Sequence, residues 1–93
     1  MKSIATKKVA GGKMITVKVD HDNVINNIEI LGDFFLHPED SLELIENSFL
    51  GRHVKEDRLE AINRIDQIVA HNGLELIGIT SKTIVDTVKE AVE

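Results

Sequence analysis

Gly11-Gly12-Lys13 is the first place in the chain where residue type and spacing could do chemistry. Glycines that accept positive φ let successive backbone N–H groups converge on an anion, and a following lysine adds an ammonium, so the turn could sit beside a phosphate. It lacks the longer glycine-to-lysine spacing of a P-loop, and a plain hairpin is the default reading. Asp33, near the end of an apolar run, could orient a ligand or a partner lysine; an acid in that place more often caps a turn or meets solvent. His21, His37, His53 and His71 never fall at the i, i+4 spacing that puts two metal ligands on one helix face, and they read as turn and surface residues. There is no cysteine, which excludes disulfides, thiol catalysis and thiolate metal sites. No HExxH, nucleophile elbow or dinucleotide-binding glycine pattern occurs. Glu43, Glu46 and Asp66 read as solvated helix faces. The residues alone amount to no catalytic constellation; they describe a small acidic α+β domain and leave an interaction module open.

The size of the chain sets what can position these groups. Ninety-three residues make one domain, 1–93. Such a chain buries roughly 60–70% of its unfolded surface, enough for one modest core. No stretch approaches the ~18 uninterrupted apolar residues of a membrane span. Met1 to Lys8 lacks an apolar signal core, so the expected location is the cytoplasm. Eleven basic against sixteen acidic residues give a net charge of −5, and the three aromatics are all phenylalanine, which argues against nucleic-acid binding.

Residues 3–10 read as a first strand with poor alternation, its Lys7 and Lys8 suited to a solvated edge. Lys13 to Asp20 alternates cleanly, with Ile15, Val17 and Val19 on one side. Gly11-Gly12 between these strands predicts a two-residue hairpin. His21-Asp22-Asn23 is a polar turn, and Val24 to Phe35 a long third strand, bulged near Asn26-Asn27. Pro38 opens a helix, with Glu39 and Asp40 favouring its positive end. Leu42, Ile45 and Phe49 make the buried stripe of that helix, Leu44 points away from it, and Gly51 stops it. A second helix starts between Glu56 and Leu59 with Asp57 as a cap, buries Ala61, Ile62, Ile65, Ile68 and Val69, and ends at Asn72-Gly73. Leu74 to Ile79 is a short apolar connection broken by Gly78. Thr80 or Ser81 caps a last helix whose stripe is Ile84, Val85, Val88, Ala91 and Val92. Strands first and helices after imply an α+β fold: a three-stranded antiparallel meander with about three helices on one face.

The run from Ile28 to Pro38 holds two of the three aromatics and joins the strand half to the helix half. As an extended chain it has Ile28, Ile30 and Phe34 on one face, and Leu31 and Phe35 beside Asp33 on the other. Apolar side chains on both faces suggest that both are covered. For Leu31 and Phe35, core outweighs contact; the alternative is a surface that a partner covers.

Several features recur together in one family. They are Gly11-Gly12-Lys13-Met14-Ile15, then Ile28-Glu29-Ile30-Leu31-Gly32-Asp33-Phe34-Phe35, then Pro38-Glu39, then Leu44-Ile45-Glu46-Asn47-Ser48-Phe49-Leu50-Gly51, and finally Gly78-Ile79. In this order they resemble the C-terminal domain of lipoate–protein ligases, and more closely the version carried as a separate small subunit in some archaea. The resemblance covers nearly the whole chain. It implies an accessory subunit without a catalytic site of its own, since the catalytic lysine and the lipoate pocket belong to the family's large domain. The complex would use ATP, Mg and lipoate to make lipoyl-AMP, releasing pyrophosphate. The lipoyl group would then pass to a lysine of an acceptor, such as the E2 component of 2-oxoacid dehydrogenases or the glycine cleavage H protein. The implied direct partner is the large catalytic subunit. Family members also share the fold of iron–sulfur scaffold proteins, a function that does not carry over to a chain without cysteine. In this setting Gly11, Gly12 and Lys13 are candidates for a position near the phosphates, and Leu31, Asp33, Phe35 and Leu44 for the partner interface. The competing reading is a stand-alone adaptor of the same fold that binds another protein.

Overall fold

A computed structural model describes residues 1–93 except Ala10 and Gly12. Its elements are β1 (Lys2–Lys8), β2 (Met14–His21), β3 (Ile25–Gly32), β4 (Phe35–His37), a 3-10 turn (Glu39–Ser41), α1 (Leu42–Asn47), α2 (Arg58–Asn72), β5 (Glu75–Ile77) and α3 (Ser81–Val92). The first three strands form the expected antiparallel meander, in the order β1-β2-β3.

The sheet has one covered face because its side chains alternate. Ile15, Val17 and Val19 of β2 and Ile28 and Ile30 of β3 point inward and are buried. α3 lies across β1 and β2, α1 covers β3, and α2 packs on α3. The poor alternation of β1 has a packing cause. Its inward positions, Ser3, Ala5 and Lys7, are half-buried beneath α3, and the large Ile4 points outward at 62% exposure. Lys7 is not simply solvated, as its Nζ donates to Glu90 of α3 at 3.0 Å. The expected bulge is present: Asp20 pairs with Asn27 and His21 with Ile25, which leaves Asn26 as the extra residue. That one residue returns Ile25 to the buried face.

The helix boundaries follow their caps. Asp57 accepts a hydrogen bond from the Glu60 N–H at 3.2 Å, and Thr80 accepts one from Thr83 at the same distance. Gly73 closes α2 in the left-handed conformation, φ 62°. Pro38 is the residue before the 3-10 turn, not its first residue, and α1 has only six residues with no side-chain cap. Ile45, Phe49, Ala61, Ile65, Ile84, Val85, Val88 and Ala91 carry the helical side of the core, and Leu42, Ile62, Ile68, Val69 and Val92 pack against it half-buried. The loop before α2 is pinned by charge. Arg64 makes two hydrogen bonds to Glu56, at 2.5 and 3.1 Å, and its guanidinium lies 5.6 Å from the centre of the Phe49 ring. The buried Lys89 ammonium donates to the Val54 carbonyl at 3.0 Å and to that of Glu56, while its burial pushes the lysine pKa down.

Three expectations change. The third strand does not run on to Phe35. It ends at Gly32, and the chain turns away to form β4, which pairs with β5 as a separate two-stranded sheet. The segment expected to be a bare connection, Leu74 to Ile79, therefore contains a strand. The Val9 N–H bonds to the Lys13 carbonyl at 2.8 Å, and the expected two-residue turn at Gly11-Gly12 includes Gly12, which lies outside the described residues. Glu46 and Asp66 are not merely solvated. Glu46 Oε2 accepts the Ile30 N–H at 2.8 Å and so occupies part of the outer edge of β3, and Asp66 accepts the Ser81 hydroxyl at 2.6 Å.

Candidate functional site

The redirection at Gly32 builds the site. A Cβ at this position would lie 2.3 Å from the Met14 carbonyl oxygen and 2.8–2.9 Å from the Phe34 ring. Only a glycine lets the end of β3 press this close to β2 while the ring folds back over it. The Asp33 N–H then bonds to the same Met14 carbonyl at 3.0 Å, and the next residues leave for β4. Phe34 turns inward against the core. Phe35 turns outward and is 68% exposed, so the weight given to a core role is overturned for this residue. Leu31, at 42%, is likewise exposed on the open face of the sheet.

Phe35 stands directly opposite Ile77, which is 46% exposed, so the two form a cross-strand apolar pair on one face of the β4–β5 ribbon. Met14 lies diagonal to Leu31 on the open face of the meander and is also exposed. Ile77 and Met14 are the members that sequence reasoning missed. The motif run contained Met14 without a role for it, and a three-residue strand gives too little alternation to show which way Ile77 points.

Lys13 belongs to the same end of the molecule. Its side chain runs over Gly78, the residue after β5: Cδ and Cε lie 3.0 and 3.4 Å from the point where a Gly78 Cβ would be, and the Phe34 Cβ lies 3.7 Å from that point. Lys13 is exposed, and its ammonium has no hydrogen-bond or ion-pair partner among the described residues. Gly11 has φ +86°, as a turn glycine requires, and Gly12 lies outside the described residues. The structure thus brings Lys13, Asp33 and Phe35 to one end, with Leu31 on the adjoining sheet face. It does not bring Leu44 to them. Leu44 is exposed, but it lines a depression with Pro38, Asp40, Asn47, Asn72 and Leu74, toward the far end of the β4–β5 pair.

This end presents exposed apolar side chains beside a lysine and an aspartate, which suits it to contact. No group of three or more acidic or histidine side chains able to hold a metal occurs among the described residues. The one serine–histidine contact among the described residues is elsewhere. Ser3 Oγ and His21 Nε2 are 3.2 Å apart, with His21 Nδ1 3.2 Å from the Asp22 carbonyl. His21 is buried, which corrects its reading as a turn or surface residue, and no carboxylate orients its ring; the contact ties β1 to the end of β2. No described helix is long and apolar enough to cross a membrane.

Fold and site together define an α+β domain with helices on one sheet face and an apolar, lysine-flanked end. No family model matches the chain, and no curated protein matches it. Among solved structures it is similar to a chain of an archaeal lipoylation system from Thermoplasma acidophilum, described as a bi-partite lipoate protein ligase and its E2 lipoyl domain. The TM-score is 0.77 with 26% identity, over 95% of this chain and 94% of that one. The likeness bears out the resemblance to a small subunit of a two-chain lipoate–protein ligase.

Proposed function

We propose that this chain is the non-catalytic subunit of a two-chain lipoate–protein ligase. It works with a large catalytic chain in the ATP-dependent conversion of lipoate to lipoyl-AMP, ahead of transfer to acceptor lysines. The observation that carries this reading is end-to-end similarity, at matching length, to a chain of a bi-partite lipoate protein ligase. The apolar end supports it. A mixed anhydride is destroyed by water, and a domain that closes over the catalytic chain can exclude water and fix the phosphates. A separate subunit must dock to do this, through a surface of about 800 Å² per partner with apolar anchors near its centre. Phe35 and Ile77, with Leu31 and Met14 alongside, supply such anchors.

The test is pyrophosphate release from ATP and lipoate by the large chain, with and without this one. Release that requires both chains is expected. Equal release by the large chain alone would leave this protein as an adaptor of the same fold.

Two substitutions divide the surface. Phe35→Ser is expected to weaken association by about 2 kcal/mol, roughly thirtyfold, as loss of a central aromatic anchor does. Because the ring is mostly exposed, stability should change by no more than about 0.5 kcal/mol, and calorimetric binding beside a urea melt checks both values. A large loss of stability with intact binding would make the residue structural. Lys13→Ala is expected to lower pyrophosphate release about tenfold or more, the scale of one hydrogen bond to a charged group, while leaving association nearly unchanged. Unchanged release would leave Lys13 with a turn role.

A further inference from the structure

Gly78 differs from the other left-handed glycines in what lies beside it. Gly11, Gly51, Gly73 and Gly78 all have positive φ, 86°, 79°, 62° and 86°. At Gly11, Gly51 and Gly73 a Cβ would meet nothing within 4 Å, so the backbone conformation alone accounts for the residue. At Gly78 a Cβ would enter the space held by the Lys13 side chain, 3.0 Å from its Cδ and 3.4 Å from its Cε. The lysine stem therefore lies along bare main chain, with the Phe34 Cβ bordering the same space at 3.7 Å. Laying a long flexible side chain in one place costs rotamer entropy. No partner among the described residues rewards its ammonium for that, whereas Lys7, Lys82 and Lys89 each reach an acceptor within 3.0 Å.

We propose that Gly78 is a positioning residue: its missing side chain makes the seat along which Lys13 lies, and the seat fixes where the ammonium is presented to an anionic group, the phosphates of ATP held by the catalytic chain. This rests on the reading of Lys13 given above and adds how that lysine is aimed. The seat also links two distant parts of the sequence, since it closes only when the β1–β2 hairpin and the end of β5 are both in place.

The experiment uses the complex with the catalytic chain and four variants: Gly78→Ala, Gly73→Ala, Lys13→Ala and the Gly78→Ala/Lys13→Ala double variant. Gly78→Ala is expected to lower kcat/KM for ATP roughly tenfold, as displacement of a positioned group does. Gly73→Ala imposes a similar backbone penalty without touching the lysine, and should stay within about twofold. The double variant should be no worse than Lys13→Ala alone. Multiplying losses, or an equal loss for Gly73→Ala, would overturn the proposal. A readout independent of activity is the 13C resonance of Lys13 Cε in this chain, which should move in Gly78→Ala and not in Gly73→Ala. If Lys13→Ala leaves release intact, the phosphate reading falls, and the resonance still decides whether Gly78 seats the lysine: an unmoved signal rejects the seat. Should Gly78→Ala not fold, Gly78→Asn takes its place, because asparagine tolerates the left-handed backbone yet carries a Cβ.

Discussion

Gly32→Ala should destabilise the protein by about 2–3 kcal/mol, near the upper end for overpacking by a single methyl group. Two kinds of neighbour would meet the new Cβ. The Phe34 ring, 2.8–2.9 Å away, can swing aside. The Met14 carbonyl oxygen, 2.3 Å away, belongs to backbone and accepts the Asp33 N–H, so it can yield only by opening the end of the β2–β3 ladder. Opening it breaks that hydrogen bond and releases the turn that sends Phe35 to β4. Gly51→Ala is the informative comparison. Gly51 has φ +79° and open space around it, so alanine there carries only the left-handed penalty, about 1–2 kcal/mol. The usual expectation, that a positive-φ glycine is the harder one to replace, is reversed. Urea melts of the two variants give the order directly, and a Gly32→Ala protein as stable as the parent would show that the strand ends can separate at little cost.

Ile45→Ala should cost about 2–5 kcal/mol, the range for emptying a fully buried aliphatic site. That is a large part of the 5–15 kcal/mol expected of a domain this size. The site is 0% exposed, and α1 has little else to hold it. Six residues without a side-chain cap do not form a helix in isolation, so α1 persists because Ile45 and Phe49 anchor it and Glu46 clamps it to β3. Loosening Ile45 withdraws Glu46 from the Ile30 N–H and bares the edge of β3 to other chains. The melt should shift to lower urea, and light scattering should show concentration-dependent self-association absent from the parent. A shift of the melt without self-association would mean that β3 is guarded by something other than α1.

The regular parts of the fold were legible because each rests on local chemistry. Asp57, Thr80 and Gly73 announce helix ends by what their own atoms can do, and the apolar stripes of α2 and α3 need only the helical period. Even the bulge at Asn26 could be anticipated from two polar residues inside an apolar strand. What stayed hidden depends on contacts distant in sequence. Ile28, Ile30 and Phe34 keep a strand-like alternation straight through Gly32, and only the approach of Met14 shows that the chain must leave the sheet there. β5 is too short for periodicity to reveal, and its partner lies some forty residues earlier. Glu46 and Asp66 look like ordinary surface acids until Ile30 and Ser81 are placed beside them, and His21 looks like a turn residue until β1 closes over it. Of the candidate site, Lys13, Asp33 and Phe35 were named and do meet, whereas Leu44 was chosen for pointing away from its own helix stripe, which says nothing about which neighbours it faces. No residue pattern pointed to a reaction; the functional reading came from resemblance.

The pairing of β4 with β5 has a consequence for how the protein comes into being. Phe35 emerges from the ribosome well before Ile77, and the two become neighbours only when the chain between them, α2 included, folds back. The apolar pair is thus absent from a nascent chain that has not yet reached Ile77 and from any state in which β4 and β5 are apart, and closing so long a loop is slow. A partner that recognises Phe35 and Ile77 together would bind only finished molecules, so assembly itself would act as an inspection step.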